Sequence, residues 1–194
     1  MQPILCAGCG QPTPGYDIVH CGSIERGYRS LCSRCFNAEV ARASGLEAFE
    51  HIPFEPVTLA DGAGTPHTFH FCTRLFGTGV VLEAFELREE QPAGYQFRVA
   101  GDPEEDRFVL LGRLMAKMRR ALALQHLEDG ELGMQMADHD TVRGLIQWDE
   151  ACAGRVPLLV IDGREITWEA LGRMVMAFEG WQFKLELRDP TEEW

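Results

Sequence analysis

Three features of the sequence predict an α+β fold. Two CxxC pairs, Cys6-Ala7-Gly8-Cys9 and Cys32-Ser33-Arg34-Cys35, bracket the first forty residues. From His67 onward, apolar residues recur with period two in segments divided by Gly and Pro, the pattern of half-buried antiparallel strands. After Asp102, and again after Thr167, the period changes to that of a helix with one apolar face. The expected architecture is a metal-binding module in residues 1–50, followed in residues 51–194 by an acidic domain of antiparallel sheet packed with two helices.

The CxxC pairs open the chain. A CxxC turn lets two sulfurs converge on one ion while its main-chain N–H groups hydrogen-bond those sulfurs, and two such turns supply a tetrahedral shell. Cys6, Cys9, Cys32 and Cys35 are therefore expected to hold one structural zinc ion per chain, with no open position for water. Tyr16 to Cys21 and Tyr28 to Leu31 read as a hairpin between the pairs. The second pair opens an amphipathic helix, with Phe36, Val40 and Ala43 on one face and Gly45 as its stop. Knuckle, hairpin and a CxxC at a helix start resemble the treble-clef zinc finger over residues 4–45. That resemblance implies a folded module whose ligands are the four cysteines, and it fixes no activity. His20 and Cys21 lie beside the site but outside either CxxC turn, and are expected to be bystanders.

Residues 46–56 read as a connector ending in Pro53 and Pro56. His67 to Cys72, Val80 to Leu87 and Tyr95 to Val99 are expected as a meander. Asp102 and Pro103 read as N-cap and first residue of a helix to about His126, with Phe108, Leu111, Leu114 or Met115, Met118 and Leu122 as its apolar stripe. Leu132 to Met136, Thr141 to Trp148 and Val156 to Ile161 read as strands, Thr167 as the cap of a helix ended by Gly180, and Trp181 to Leu187 as a final strand. Both helices carry Leu-Gly-Arg, at 111–113 and 171–173, where glycine is expected to let a helix lie close on a sheet. The wording of residues 157–184 resembles a group of bacterial proteins of unknown function. The apolar periodicities of residues 52–194 further predict that this part folds on its own.

Charge and composition bound the function. Net charge is −12; residues 1–50 hold four Arg against five acids, and residues 51–194 hold fourteen basic against twenty-five acidic residues. Such a field repels phosphate backbones, so nucleic acid is open only to residues 1–50, through Arg26, Arg29 and Arg34. The longest apolar run, Val156 to Ile161, cannot cross a bilayer. With no secretory pattern at the N-terminus and seven cysteines arranged for metal, a cytoplasmic protein is expected.

Catalytic patterns are scarce. Residues 51–194 contain neither serine nor asparagine, and Lys117 and Lys184 are the only lysines of the chain, which removes a serine nucleophile and a GKS/T phosphate loop from that part. Gly62-Ala63-Gly64 and Gly77-Thr78-Gly79 read as turns rather than dinucleotide loops. His67, His70 and Cys72 sit on one strand, where only His70 and Cys72 share a face. His70, His139 and Asp140 are the candidates for an enzyme of unrecognised type, while Cys152 beside Asp149 and Glu150 is expected to be a blunted thiol. Arg113, Lys117 and Arg120 form a basic helical stripe, expected to be a solvated face paired with the protein's own carboxylates. The function expected is that of a non-enzymatic, zinc-binding adaptor or regulator whose partner is a protein.

Overall fold

In the computed structural model, residues 3–24, 27–46, 48–77, 79–130, 133–137 and 140–192 are described. Strands β1 (Ile4–Leu5) and β2 (Pro12–Thr13) form the first knuckle, and β3 (Ile18–Ser23) pairs with β4 (Gly27–Cys32) as the expected hairpin. Helix α1 (Ser33–Ser44) starts inside the second CxxC pair and stops at Gly45, whose left-handed φ of 71° turns the chain so that its N–H reaches the last helical carbonyls.

A four-stranded antiparallel meander follows, in the order β5 (Val57–Ala60), β6 (Pro66–Phe76), β7 (Gly79–Arg88) and β8 (Gln91–Gly101). Strand β5 pairs only with residues 66–69 of β6, so the rest of that eleven-residue strand has a ladder partner on one side only, namely β7. Helix α2 (Arg107–Leu122) begins later than expected: Asp106 is the N-cap, accepting from Phe108 N at 2.8 Å, while Asp102 closes a separate turn onto Glu104 N. Its buried stripe is Leu110, Leu114, Met118 and Leu122, each one turn from the last. Phe108 is exposed and touches Phe54 edge-on, so Leu110 takes the core position that the sequence pattern assigns to Phe108.

The remaining strands build a second, smaller layer. Strand β9 (Leu127–Gly130) pairs with β10 (Gly133–Met136), and β11 (Leu145–Trp148), β12 (Pro157–Ile161) and β13 (Arg164–Thr167) make a three-stranded antiparallel sheet. Helix α3 (Trp168–Val175) is capped by Thr167, which accepts from Ala170 N at 3.1 Å. The expectation of one sheet with two C-terminal helices needs correction: α1 and α2 share a core with the four-stranded sheet, and α3 packs on the three-stranded one in a separate cluster with Leu127, Leu159, Ile161 and Ile166. A second correction concerns Trp181 to Leu187, which is exposed chain that joins no ladder among the described residues, because alternation gives strand character without fixing a partner edge. Gly112 and Gly172 have nothing within 4 Å of where a Cβ would sit, so neither marks a close helix–sheet approach.

Candidate metal centre

The thiol sulfurs of Cys6, Cys9, Cys32 and Cys35 all lie within 4.8 Å of one another, with Cys9 Sγ to Cys32 Sγ at 4.0 Å. A tetrahedron with metal–sulfur bonds of about 2.3 Å has edges of about 3.8 Å, so the four donors lie close enough to converge on one thiophilic cation. Local structure explains the convergence. Gly8 N and Cys32 N donate to Cys6 Sγ at 3.4 and 3.2 Å, which brings one knuckle onto the other. A side chain at position 8 would meet Cys35 Sγ at 3.1 Å, so a Cys-x-Gly-Cys knuckle is what this approach requires. Leu31, fully buried, and Phe36 form the apolar wall of the cluster.

Electrostatics makes the same point. Burial pushes the Cys6 thiol up, but the main-chain amides of Cys32, Cys9 and Gly8 together outweigh it and bring Cys6 to about 6. Cys35 is pushed up to about 12, first by burial and then by the neighbouring Cys32, Cys6 and Cys9 sulfurs. One thiolate is thus favoured and further ones are opposed, and a bound cation would stabilise all four as thiolates. His20 and Cys21 stand apart: His20 Nδ1 meets Ser30 Oγ at 3.0 Å, and Cys21 Sγ donates to Arg29 O at 3.7 Å.

The centre is tied to the central sheet by groups the sequence did not announce. Asn37, fully buried on α1, donates to Thr73 O at 2.8 Å and accepts from Leu75 N at 2.9 Å. These are the bonds a neighbouring strand would make to the open edge of β6. Its second N–H reaches His51 Nδ1 at 2.9 Å, which makes that nitrogen an acceptor and places the ring proton on Nε2. Burial, before any charge, lowers the pKa of His51. On the opposite face of β6, Ser33 Oγ lies 3.0 Å from Cys72 Sγ, and Arg74 donates to Tyr16 O at 3.1 Å. The signal for Asn37 was its type: it is the chain's one asparagine, placed inside a helix where its side chain has no capping role.

The other candidates are dispersed. His67 lies between Glu86 and Asp61, with its nitrogens 2.8 and 3.3 Å from their oxygens, under the ring of Tyr95. His70 packs against Tyr16, and burial pushes the Cys72 thiol up to about 11, so the three β6 residues form no common site. The Cys152 thiol is raised, first by its hydrogen bond to Asp149 and then by burial, as expected. Asp140 donates its main-chain N–H to Ala137 O at 3.1 Å, and His139 and Arg26 lie outside the described residues. Of the basic stripe, Arg113 bonds Glu105 and Ala100 O, and Lys117 donates to the carbonyls of Arg98, Pro190 and Glu192. Two clefts, of about 530 and 190 Å³, open near residues 45–54, and neither is lined by His70 or Asp140.

No helix among the described residues is long and apolar enough to cross a membrane. Three family models match successive parts of the chain, each described as a domain of unknown function: DUF7685 over residues 5–47, DUF7686 over 50–123 and DUF7713 over 126–192. Comparison with curated proteins and with solved structures gives no match.

Proposed function

We propose that residues 1–50 are a zinc-finger module of treble-clef type, holding one zinc ion on Cys6, Cys9, Cys32 and Cys35, and that the chain is a non-enzymatic, cytoplasmic adaptor with a protein partner. The observation that carries this reading is the closed set of four sulfurs, each within 4.8 Å of the rest. Four protein donors leave no coordination position for substrate, so the ion's task is structural. The order of knuckle, hairpin and CxxC-started helix supports the treble-clef assignment. Residues 51–194 are then the acidic α+β part, built on two cores.

A protein partner is favoured over nucleic acid by what the module exposes. Ile24, Tyr28 and Leu5 are open to solvent, while Arg29 is held in a two-pronged ion pair with Glu39 and Arg34 is turned onto Cys9. Elemental analysis of the purified chain should give about one zinc per chain. In a competition with a chromogenic chelator, serine at any of the four positions should abolish tight binding, while Cys21→Ser keeps the ion. Retention of a protein from native extract that ceases on chelation, with no salt-dependent binding of DNA or RNA, supports the adaptor. Zinc loss from Cys21→Ser equal to that from Cys32→Ser overturns the ligand set.

A further inference from the structure

Residues 181–188 are an extended segment pinned at both ends and paired along neither side. At one end Gly180 takes a φ of 88°, and Trp181 N donates to Phe178 O while the two rings meet edge to face at 5.3 Å. At the other, Lys117 on α2 donates to Pro190 O and Glu192 O, both at 2.7 Å. Between these anchors, residues 182–187 make no main-chain hydrogen bond to any described residue. Trp181, Phe183, Leu185 and Leu187 alternate along the segment and are exposed by between 66% (Trp181) and 91% (Phe183). Gln182, Lys184, Glu186 and Arg188 take the positions between them, with Lys184 Nζ 2.9 Å from Glu186 Oε2. A bare strand edge bearing a row of large apolar side chains is a template for another strand.

We propose that this strand pairs with the same strand of a second copy, antiparallel about a two-fold axis through Leu185, and that the chain is a dimer. The charge pattern selects the occupant and the register. In an antiparallel pair, directly opposed residues share a face. With Leu185 opposite itself, Lys184 faces Glu186 of the other copy twice over, Gln182 faces Arg188, and Phe183 faces Leu187. Moving the axis by one residue in either direction sets like charges against each other: Lys184 meets Lys184 in one case, and Glu186 meets Glu186 with Lys184 against Arg188 in the other. The segment is thus complementary to itself with Leu185 on the axis and in neither neighbouring register. The anchors hold it extended beforehand, which lowers the ordering cost of pairing.

The test uses the full-length chain in sedimentation equilibrium. The wild type should be a dimer, and Leu185→Asp, at an exposed position that leaves the folded monomer intact by circular dichroism, should be monomeric. Lys184→Glu and Glu186→Lys should each weaken the dimer by about tenfold, through two like-charge pairs per interface. An equimolar mixture of these two variants should recover wild-type affinity as a heterodimer, because each glutamate then faces a lysine. A wild type that is monomeric at every soluble concentration overturns the proposal and leaves the strand to another protein's sheet. A dimer indifferent to Leu185→Asp, or single variants that the mixture does not rescue, overturns the assigned interface.

Discussion

Replacing Asn37 by alanine tests how the N-terminal four-cysteine module holds the central sheet. The side chain is fully buried and makes three hydrogen bonds, two of them to Thr73 O and Leu75 N on the part of β6 that β5 does not reach. Alanine removes the amide but leaves the main-chain carbonyl and N–H inside the protein. Each of the two stranded groups costs about 1–3 kcal/mol, so the expected loss is about 2–6 kcal/mol before any cavity is counted. That is a large share of the roughly 5–15 kcal/mol that holds a domain together. The measurement is urea denaturation of the metal-loaded chain followed by far-ultraviolet circular dichroism, with Thr58→Ala as reference. Thr58 and Thr68 share an exposed hydroxyl contact of 2.9 Å across β5 and β6, and its loss should cost less than about 1 kcal/mol. If Asn37→Ala costs no more than Thr58→Ala, the amide is not the partner of the β6 edge and the module does not close the sheet through it.

Three more substitutions probe helix α2 and the histidine beside Asn37. Gly112→Ala, in mid-helix with nothing within 4 Å of the new methyl, should stabilise the chain by about 0.5–1 kcal/mol in the same urea assay; a loss would mean hidden crowding. His51 has a folded pKa below its ordinary 6.5, chiefly through burial, so the unfolded chain takes up the proton first. Its contribution to stability is complete above 6.5 and is lost as pH falls through the lower folded value, and His51→Gln should flatten the urea midpoint across that window. Leu114→Ala, at the buried centre of the α2 stripe, should cost about 2–5 kcal/mol, and a cost below about 1 kcal/mol would place the core elsewhere.

Legibility in the sequence followed the range of the interaction. The convergence of Cys6, Cys9, Cys32 and Cys35 was visible because each CxxC turn is local and only the hairpin between them had to close. The meander and the caps at Gly45 and Thr167 were visible for the same reason, each being set by a few adjacent residues. The start of α2 was misread because Asp102 and Asp106 are both competent caps, and only the packing of Leu110 selects the later one. Strand β5 was missed because Val57 to Ala60 offers just four residues, and a strand so short is defined by its partner. Trp181 to Leu187 shows the limit from the other side: alternation gives the strand character of a segment but carries no information about which edge it meets. Asn37 was hidden because its partners lie thirty-six and thirty-eight residues away on a strand edge that the sequence does not show to be open.

The placement of the N-terminal four-cysteine module changes what removal of a metal bound there should do. Apolar periodicity makes residues 52–194 look self-sufficient, yet among the described residues β6 beyond residue 69 has no strand on its outer side, and the four-cysteine module occupies that position. Ala41 of α1 enters the core on one face of the sheet, Ser33 and Tyr16 contact Cys72 and Arg74 on the other, and the Asn37 amide lies between them along the edge. Helix α1 begins within the second CxxC pair, so a cation on Cys32 and Cys35 fixes the turn from which Asn37 projects. Chelation should therefore do more than unfold the first forty residues: it should bare the edge of a long strand flanked by apolar side chains, and such an edge pairs with other chains. Light scattering after addition of chelator should rise, and residues 52–194 expressed alone should scatter from the start. A clear solution in both cases, with the circular dichroism of the sheet intact, would show that the four-stranded sheet closes without the module.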